Sequence, residues 1–203
     1  MKIITIGREF GSGGRELGKR LSEALGFAYY DDEILTAIAQ HSGIAESYVA
    51  SIVEKSSLRP YPIVYARTFS TPSIMPDQHW KIIQSQGVVL QELAQKSDCI
   101  FVGRCADVIL EKMHPLNIFV YADMPSKLAR CRVKAPADEH LSDRELVTKI
   151  RETEKQRQRY YNAITDQKWG AKEHYHLCIN TSGKVIKFLI PSVTAFCQAW
   201  FQA

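Results

Sequence analysis

Lys2-Ile-Ile-Thr-Ile-Gly7-Arg8-Glu9-Phe10-Gly11-Ser12-Gly13-Gly14-Arg15-Glu16-Leu17-Gly18-Lys19 is the stretch that decides the fold of this chain. Ile3, Ile4 and Ile6 make a short β-branched apolar run, the composition of a buried parallel strand. Gly11, Ser12, Gly13 and Gly14 follow with almost no side chains, so backbone N–H groups can turn inward and approach a ligand closely. Leu17, Leu21, Ala24 and Leu25 then recur at helical spacing. A helix therefore starts where the glycines end, and its aligned N–H dipoles suit a phosphate. Strand, glycine turn and helix together read as a phosphate-binding loop.

The loop departs from the usual G-x-x-x-x-G-K-[ST] pattern. Aligning Gly11-Ser12-Gly13 with its Gly-x-Gly puts Gly14 at the lysine, Arg15 where a Ser or Thr often holds magnesium, and Arg8 at the first glycine. The backbone of Gly11, Ser12, Gly13 and Gly14 remains able to cradle donor phosphates. Arg15 is the first candidate for the missing cation and Arg8 the second. One step along a helix turns a side chain by about 100°, so Arg15 has to reach back to do this. Glu16, the next residue, belongs to the same ATP-side group and brings no hydroxyl for a metal.

The rest of the chain limits the alternatives. Its 203 residues suffice for one domain, or one core with inserted lobes. Apolar content of 45% and charged content of 24% are those of an ordinary globular protein. A net charge of +4 suits small anionic ligands and falls short of a nucleic-acid footprint. No apolar run approaches the roughly 20 residues of a bilayer span, and the first residues form a strand instead of a leader. Five scattered cysteines read as reduced thiols of a cytoplasmic protein, and neither a disulfide framework nor a zinc site is indicated.

Strand-like and helix-like segments alternate along the sequence. Ala28-Tyr29-Tyr30 is a second strand, ending at Asp31-Asp32, which can cap a helix from Glu33 to Gln40. A helix over Ala45 to Lys55 precedes an irregular region with Pro60, Pro62, Pro72 and Pro76, which also holds Arg59 and Arg67. A helix from Asp77 to Lys96 leads to the strand Cys99-Ile-Phe-Val102, and one from Ala106 to Glu111 follows it. The strand from Asn117 to Tyr121 precedes a cationic helix bearing Lys127, Arg130, Arg132 and Lys134. Asp143 opens a long charged helix to about Tyr161, Tyr175 to Asn180 is the last strand, and Lys184 to Trp200 is a closing helix. This alternation predicts a five-stranded parallel sheet with helices on both faces. Ligands bind such sheets beyond the carboxyl ends of the strands, here Gly7-Arg8, Asp31-Asp32, Gly103-Arg104, Ala122-Asp123 and Thr181-Ser182.

Taken in order, the opening loop, Val102-Gly103-Arg104, Ala122-Asp123 with Arg130, the arginines from Arg151 to Arg159 and Asn180-Thr181-Ser182 resemble the cytidylate kinases. The likeness is greatest to the cytidylate kinase-like branch of the nucleoside monophosphate kinases. That branch carries Gly-Arg-Glu-Phe-Gly-Ser-Gly-Gly at the loop, a Val-Gly-Arg-Cys-Ala-Asp run like 102–107, and a segment like Lys168 to Asn180. The resemblance covers nearly the whole chain. It implies a P-loop kinase core, a monophosphate-binding helical lobe inserted at about 33–97 and a lid at about 134–160. The implied reaction moves the γ-phosphoryl of ATP, with Mg2+, to a nucleoside monophosphate, CMP or dCMP first.

The same resemblance implies roles. Arg104 holds the acceptor's phosphate, an arginine fork being suited to that bidentate task, with Asp31, Gly103 and Asp107 on the acceptor side. Arg15, Arg130, Arg151 and Arg157 are the catalytic cations, the last two on the lid-side helix, where a solvated charged face is the competing reading. Asp31, or Asp32 beside it, would orient magnesium through water, or serve the helix cap. The family usually shows an arginine after the second strand that grips the monophosphate; Ala37 stands near its place, and Arg59 or Arg67 would have to supply the charge. Two other readings stay open: a nucleotide-binding regulatory module that lost turnover with its lysine, and a kinase for a non-nucleotide acceptor.

Overall fold

The computed structural model describes residues 1–53, 77–135 and 141–202. Eight α-helices among them alternate with five strands. The order is β1 (Ile3–Arg8), α1 (Gly14–Leu25), β2 (Ala28–Tyr30), α2 (Glu33–Ser42), α3 (Glu46–Val53) and α4 (Asp77–Ala94). Next come β3 (Cys99–Val102), α5 (Ala106–Ile109), β4 (Leu116–Tyr121), α6 (Met124–Lys134), α7 (Asp143–Ile164), β5 (Leu177–Asn180) and α8 (Ile190–Trp200). All four strand pairings are parallel and the spatial order is β2-β3-β1-β4-β5. The chain crosses from β3 over β1 to β4, so the switch in strand order falls beside the carboxyl end of β1, where the glycine loop begins.

Alternation along the strands divides the core into two layers. Ile4, Ile6, Ile100, Val102, Leu116, Ile118 and Val120 point to the face covered by α1 and α8. Ile3, Cys99 and Phe101 point the other way, into the layer formed with α2, α3, α4 and α5. Ile3, Ile4, Thr5 and Ile6 are all buried, as a central parallel strand requires. Cys99, Cys105 and Cys197 are buried, Cys131 is half-buried and Cys178 exposed, and no disulfide joins any of the five.

Several expected boundaries move for local reasons. Ser142, not Asp143, caps α7: its hydroxyl accepts from the Glu145 amide and Glu145 accepts from the Ser142 amide, a reciprocal capping box. The expected helix from Lys184 divides into a 3-10 turn at Ile186–Phe188 and α8, which restarts with Pro191 in its first turn, where a missing N–H leaves nothing unsatisfied. The expected helix over 106–111 likewise becomes a four-residue helix, Ala106–Ile109, followed by a 3-10 turn at Glu111–Met113, and β5 begins at Leu177 instead of Tyr175. Asp32 occupies the position before α2 but makes no cap bond, because its carboxylate is turned to arginines.

No helix among the described residues is long and apolar enough to cross a membrane.

Candidate active site

Gly11 and Gly13 carry the loop from β1 to α1 at φ +73° and +84°, backbone that L side chains rarely adopt. Gly14 is needed for a different reason: a Cβ there would lie 2.5 Å from Cβ of Arg8. The loop is held from outside by two cations of α6. Arg130 donates to the carbonyls of Gly11 and Ser12 at 3.4 and 3.3 Å, to that of Thr181 and, at 2.9 Å, to that of Lys184. Thr181 adds a 2.7 Å bond from its hydroxyl to the Ser12 carbonyl. Buried Lys127 stands 2.7 Å from Glu9 and 2.7 Å from Glu154 of α7, and Glu9 also accepts from the Ala122 amide at 3.1 Å. Ser12 is wholly buried, with its hydroxyl on the Glu9 carbonyl.

Beyond the loop, four arginines converge on two carboxylates. Arg15 reaches across from α1 to the end of β2, with Nε 2.5 Å from Asp31 and Nη2 2.8 Å from both oxygens of Asp32. Burial works against the Arg15 charge, but Asp31 and Asp32 outweigh it and raise its pKa. Arg8 lies 3.5 Å from Asp31, and Arg104 of the β3 end lies 3.5 Å from Asp32. Arg157 of α7 donates to the Arg8 carbonyl at 3.1 Å and lies over the Phe10 ring. Burial and the neighbouring Arg157 push the Arg8 guanidinium down to about 9. Burial, Arg104 and Arg15 push Arg157 down to about 10. Three guanidiniums paired with two carboxylates, and Arg157 beside them, leave an excess of positive charge that is buried at Arg8 and Arg104 and open at Arg15, the electrostatic condition for an anion site.

Arg104 is aimed by an unusual turn. Gly103, Arg104 and Cys105 take φ of +75°, +61° and +53° in succession, two of them with side chains in a region that costs about 1 kcal/mol or more. The turn is bound by an interior amide. Gln86 of α4, fully buried, donates to the Arg104 carbonyl at 2.7 Å, and the Tyr160 hydroxyl of α7 donates to Gln86 at 2.7 Å.

A cleft of about 570 Å³ joins these parts. Arg8, Gly11, Gly13, Gly14, Arg15, Gly103, Arg104, Asp107, Arg130 and Arg157, all expected at the site, line it. Deeper, Tyr161 donates to Asp107 at 2.8 Å, and the Tyr175 hydroxyl is buried beside them. Burial raises the Asp107 carboxyl, with the Tyr161 bond working against that shift.

Other expected residues fall elsewhere. Arg151 is exposed on α7 and lines a separate hollow of about 450 Å³ with Glu9, Phe119 and Trp169. Six residues from Arg157 at about 100° each put it some 240° round the helix, so the two arginines face different spaces. Glu16 pairs with Arg20 at 3.0 Å and Lys134 at 3.5 Å, beside the loop and outside the cleft lining. Asp31 and Asp32 are engaged by arginines, and no group of three or more His, Cys, Asp or Glu among the described residues is arranged to hold a metal ion. Arg59 and Arg67 lie outside the described residues. Lys127, Gln86 and Tyr160 are the site residues that the sequence reading did not single out.

A family model described as the cytidylate kinase-like family matches residues 3–183. No curated protein sequence matches the chain. Among solved structures, an uncharacterized protein from Eubacterium ventriosum ATCC 27560 is 21% identical with a TM-score of 0.69, over 98% of this chain and 99% of that one. A shikimate kinase from Bacteroides thetaiotaomicron is 13% identical with a TM-score of 0.55, over 100% and 99%. A shikimate kinase from Acinetobacter baumannii, in complex with shikimate, is 18% identical with a TM-score of 0.51, over 98% and 93%. The fold is thus that of the P-loop kinases.

Proposed function

This chain belongs to the cytidylate kinase-like family, and we propose that it moves the γ-phosphoryl group of ATP to a nucleoside monophosphate, CMP or dCMP first. The observation that carries this reading is the cluster of Arg8, Arg15, Arg104 and Arg157 at the mouth of a glycine loop and a helix N-terminus. Phosphoryl transfer asks little covalent chemistry of a protein. It asks that donor and acceptor lie in line with positive charge over the moving oxygens.

In this reading the amides of residues 11–14 receive the donor phosphates and Arg15 brings the charge that the loop lacks. Arg104 and Arg8, at neighbouring strand ends, receive the acceptor's phosphate, and Arg157 covers the group in transit. Arg130 acts through the loop, since its guanidinium is bonded to loop carbonyls. Asp31 and Asp32, the carboxylates paired with Arg8, Arg15 and Arg104, fit a magnesium ion carried on the nucleotide and held through water, and among the described residues they offer no direct ligand set. When bound, the metal supplies neutralisation of the phosphate charge.

A second reading, transfer to a hydroxyl of a non-nucleotide acceptor, is favoured by Ala37 at the place of the usual monophosphate arginine. A coupled ADP-release assay with MgATP and CMP, dCMP, UMP, AMP, GMP, nucleosides and sugars separates the two. Turnover on CMP or dCMP upholds the proposal, and turnover on another acceptor retains the kinase with a different substrate. ATP binding by calorimetry with no turnover on any acceptor would point to a regulatory module.

A further inference from the structure

The arginine that faces the acceptor is fixed through its main chain by a buried glutamine outside the cleft lining, which is bonded in turn to Tyr160 of the cleft wall. The Arg104 carbonyl accepts from Gln86 Nε2 at 2.7 Å, and Gln86 Oε1 accepts from the Tyr160 hydroxyl at 2.7 Å. Gln86 is fully buried and Tyr160 nearly so, and burial pushes the Tyr160 phenol far above its ordinary pKa, so it remains a donor. The bonded carbonyl belongs to the middle residue of the left-handed run Gly103-Arg104-Cys105, in which two side-chain-bearing residues hold positive φ. Without an outside restraint such a run relaxes to negative φ and swings the side chain away.

Tyr160 lies one helical turn from Arg157, which donates to the carbonyl of Arg8 at 3.1 Å. One face of α7 thus holds the Arg8 carbonyl directly and, through Gln86 of α4, the carbonyl of Arg104, two residues past β3.

We propose that Gln86, oriented by Tyr160, is a positioning residue for the acceptor's phosphate: it holds the Arg104 turn in its left-handed form and so aims the guanidinium. The inference rests on the reading that Arg104 meets that phosphate. An amide is suited to the task because it donates and accepts at once, joining a phenol to a carbonyl with neither left unmet. A methionine of similar length at position 86 fills the space and removes both bonds.

The test compares wild type, Gln86→Met, Arg104→Ala and the double variant by calorimetry with inorganic phosphate and CMP, with ATP as the control ligand, and by kinetics. Gln86→Met should weaken phosphate and CMP about tenfold, the size of one lost buried hydrogen bond, raise KM for the acceptor more than it lowers kcat, and leave ATP affinity within about twofold. In the Arg104→Ala background the same substitution should add almost nothing, because its whole effect passes through Arg104. Equal losses in the two backgrounds, ATP and phosphate affinity falling together, or no loss at all would overturn the inference. Arg104→Ala leaving phosphate affinity untouched would instead remove the reading on which it rests. Should Gln86→Met fail to fold, Tyr160→Phe interrupts the same chain at its other end and is judged by the same pattern.

Discussion

The Arg8 guanidinium occupies the space in which a side chain on Gly103 would begin: a Cβ at residue 103 would stand 1.6 Å from Arg8 Nη1. Arg8 ends β1 and Gly103 follows β3, two strands paired in parallel register, so the arginine leans across the sheet edge over its neighbour's turn. It can do so only because the facing residue has no side chain. The same residue carries φ +75°, so residue 103 is restricted twice, by backbone and by neighbour.

Gly103→Ala should therefore act on the anion site before it acts on the fold. The methyl displaces Arg8 and strains the turn, for an expected loss of about 1–3 kcal/mol in stability. Inorganic phosphate affinity should fall about tenfold or more by calorimetry, and an unchanged affinity would show that Arg8 takes no part.

Arg104→Ala should separate activity from stability. A charge-assisted contact to the acceptor is lost, so kcat/KM should fall tens-fold or more, roughly 2 kcal/mol or above. Arg104 is also one of the like charges that depress Arg157, so removing it relieves repulsion. Its pair with Asp32 goes with it, so the two effects oppose each other and Tm should change little; a fall of more than about 5 °C would contradict the crowding.

Asp107 gives a dependence on pH. Its folded pKa is raised by burial, so the native state holds this proton where the unfolded chain has released it. The stability that the neutral carboxyl contributes is present below the ordinary aspartate range and is lost as pH rises through the folded pKa. Asp107→Asn keeps an oxygen for Tyr161 and does not ionise, so its Tm should gain on wild type as pH rises from 4 toward 7. A constant difference between the two curves would refute the shift.

Lys127→Met should be the most destabilising of these changes. It leaves Glu9 and Glu154 facing each other with their shared cation gone, a loss of the order of 3–5 kcal/mol for a broken buried pair. Chemical denaturation measures it, and a loss under about 1 kcal/mol would mean that the pairs are solvated.

The parts of this molecule that follow one another in sequence were readable from it, and the parts that meet across it were not. Ile3 to Gly14 identify strand, turn and helix start because each residue type there has one conformational use. Gly103-Arg104 stood out because a glycine and an arginine end an apolar strand. Arg130 was readable as a cation of the helix after β4, but its attachment to the carbonyls of Gly11 and Ser12 spans more than a hundred residues. Arg151 was separable from Arg157 by helical phase, a signal that was available in the spacing. Gln86 had no such signal: a glutamine within a helix is ordinary, and its partners Arg104 and Tyr160 lie 18 and 74 residues away. Asp32 read equally well as a helix cap, and Arg15 and Arg104 claimed it in three dimensions.

The order of the strands has a consequence for the molecule among its own copies. The six-residue strands β1 and β4 lie inside the sheet, and among the described residues its outermost strands are β2, of three residues, and β5, of four. A strand so short presents few free amides and carbonyls for another chain to pair with, which discourages edge-to-edge aggregation. A sheet that is apolar on both faces is thereby kept from growing sideways.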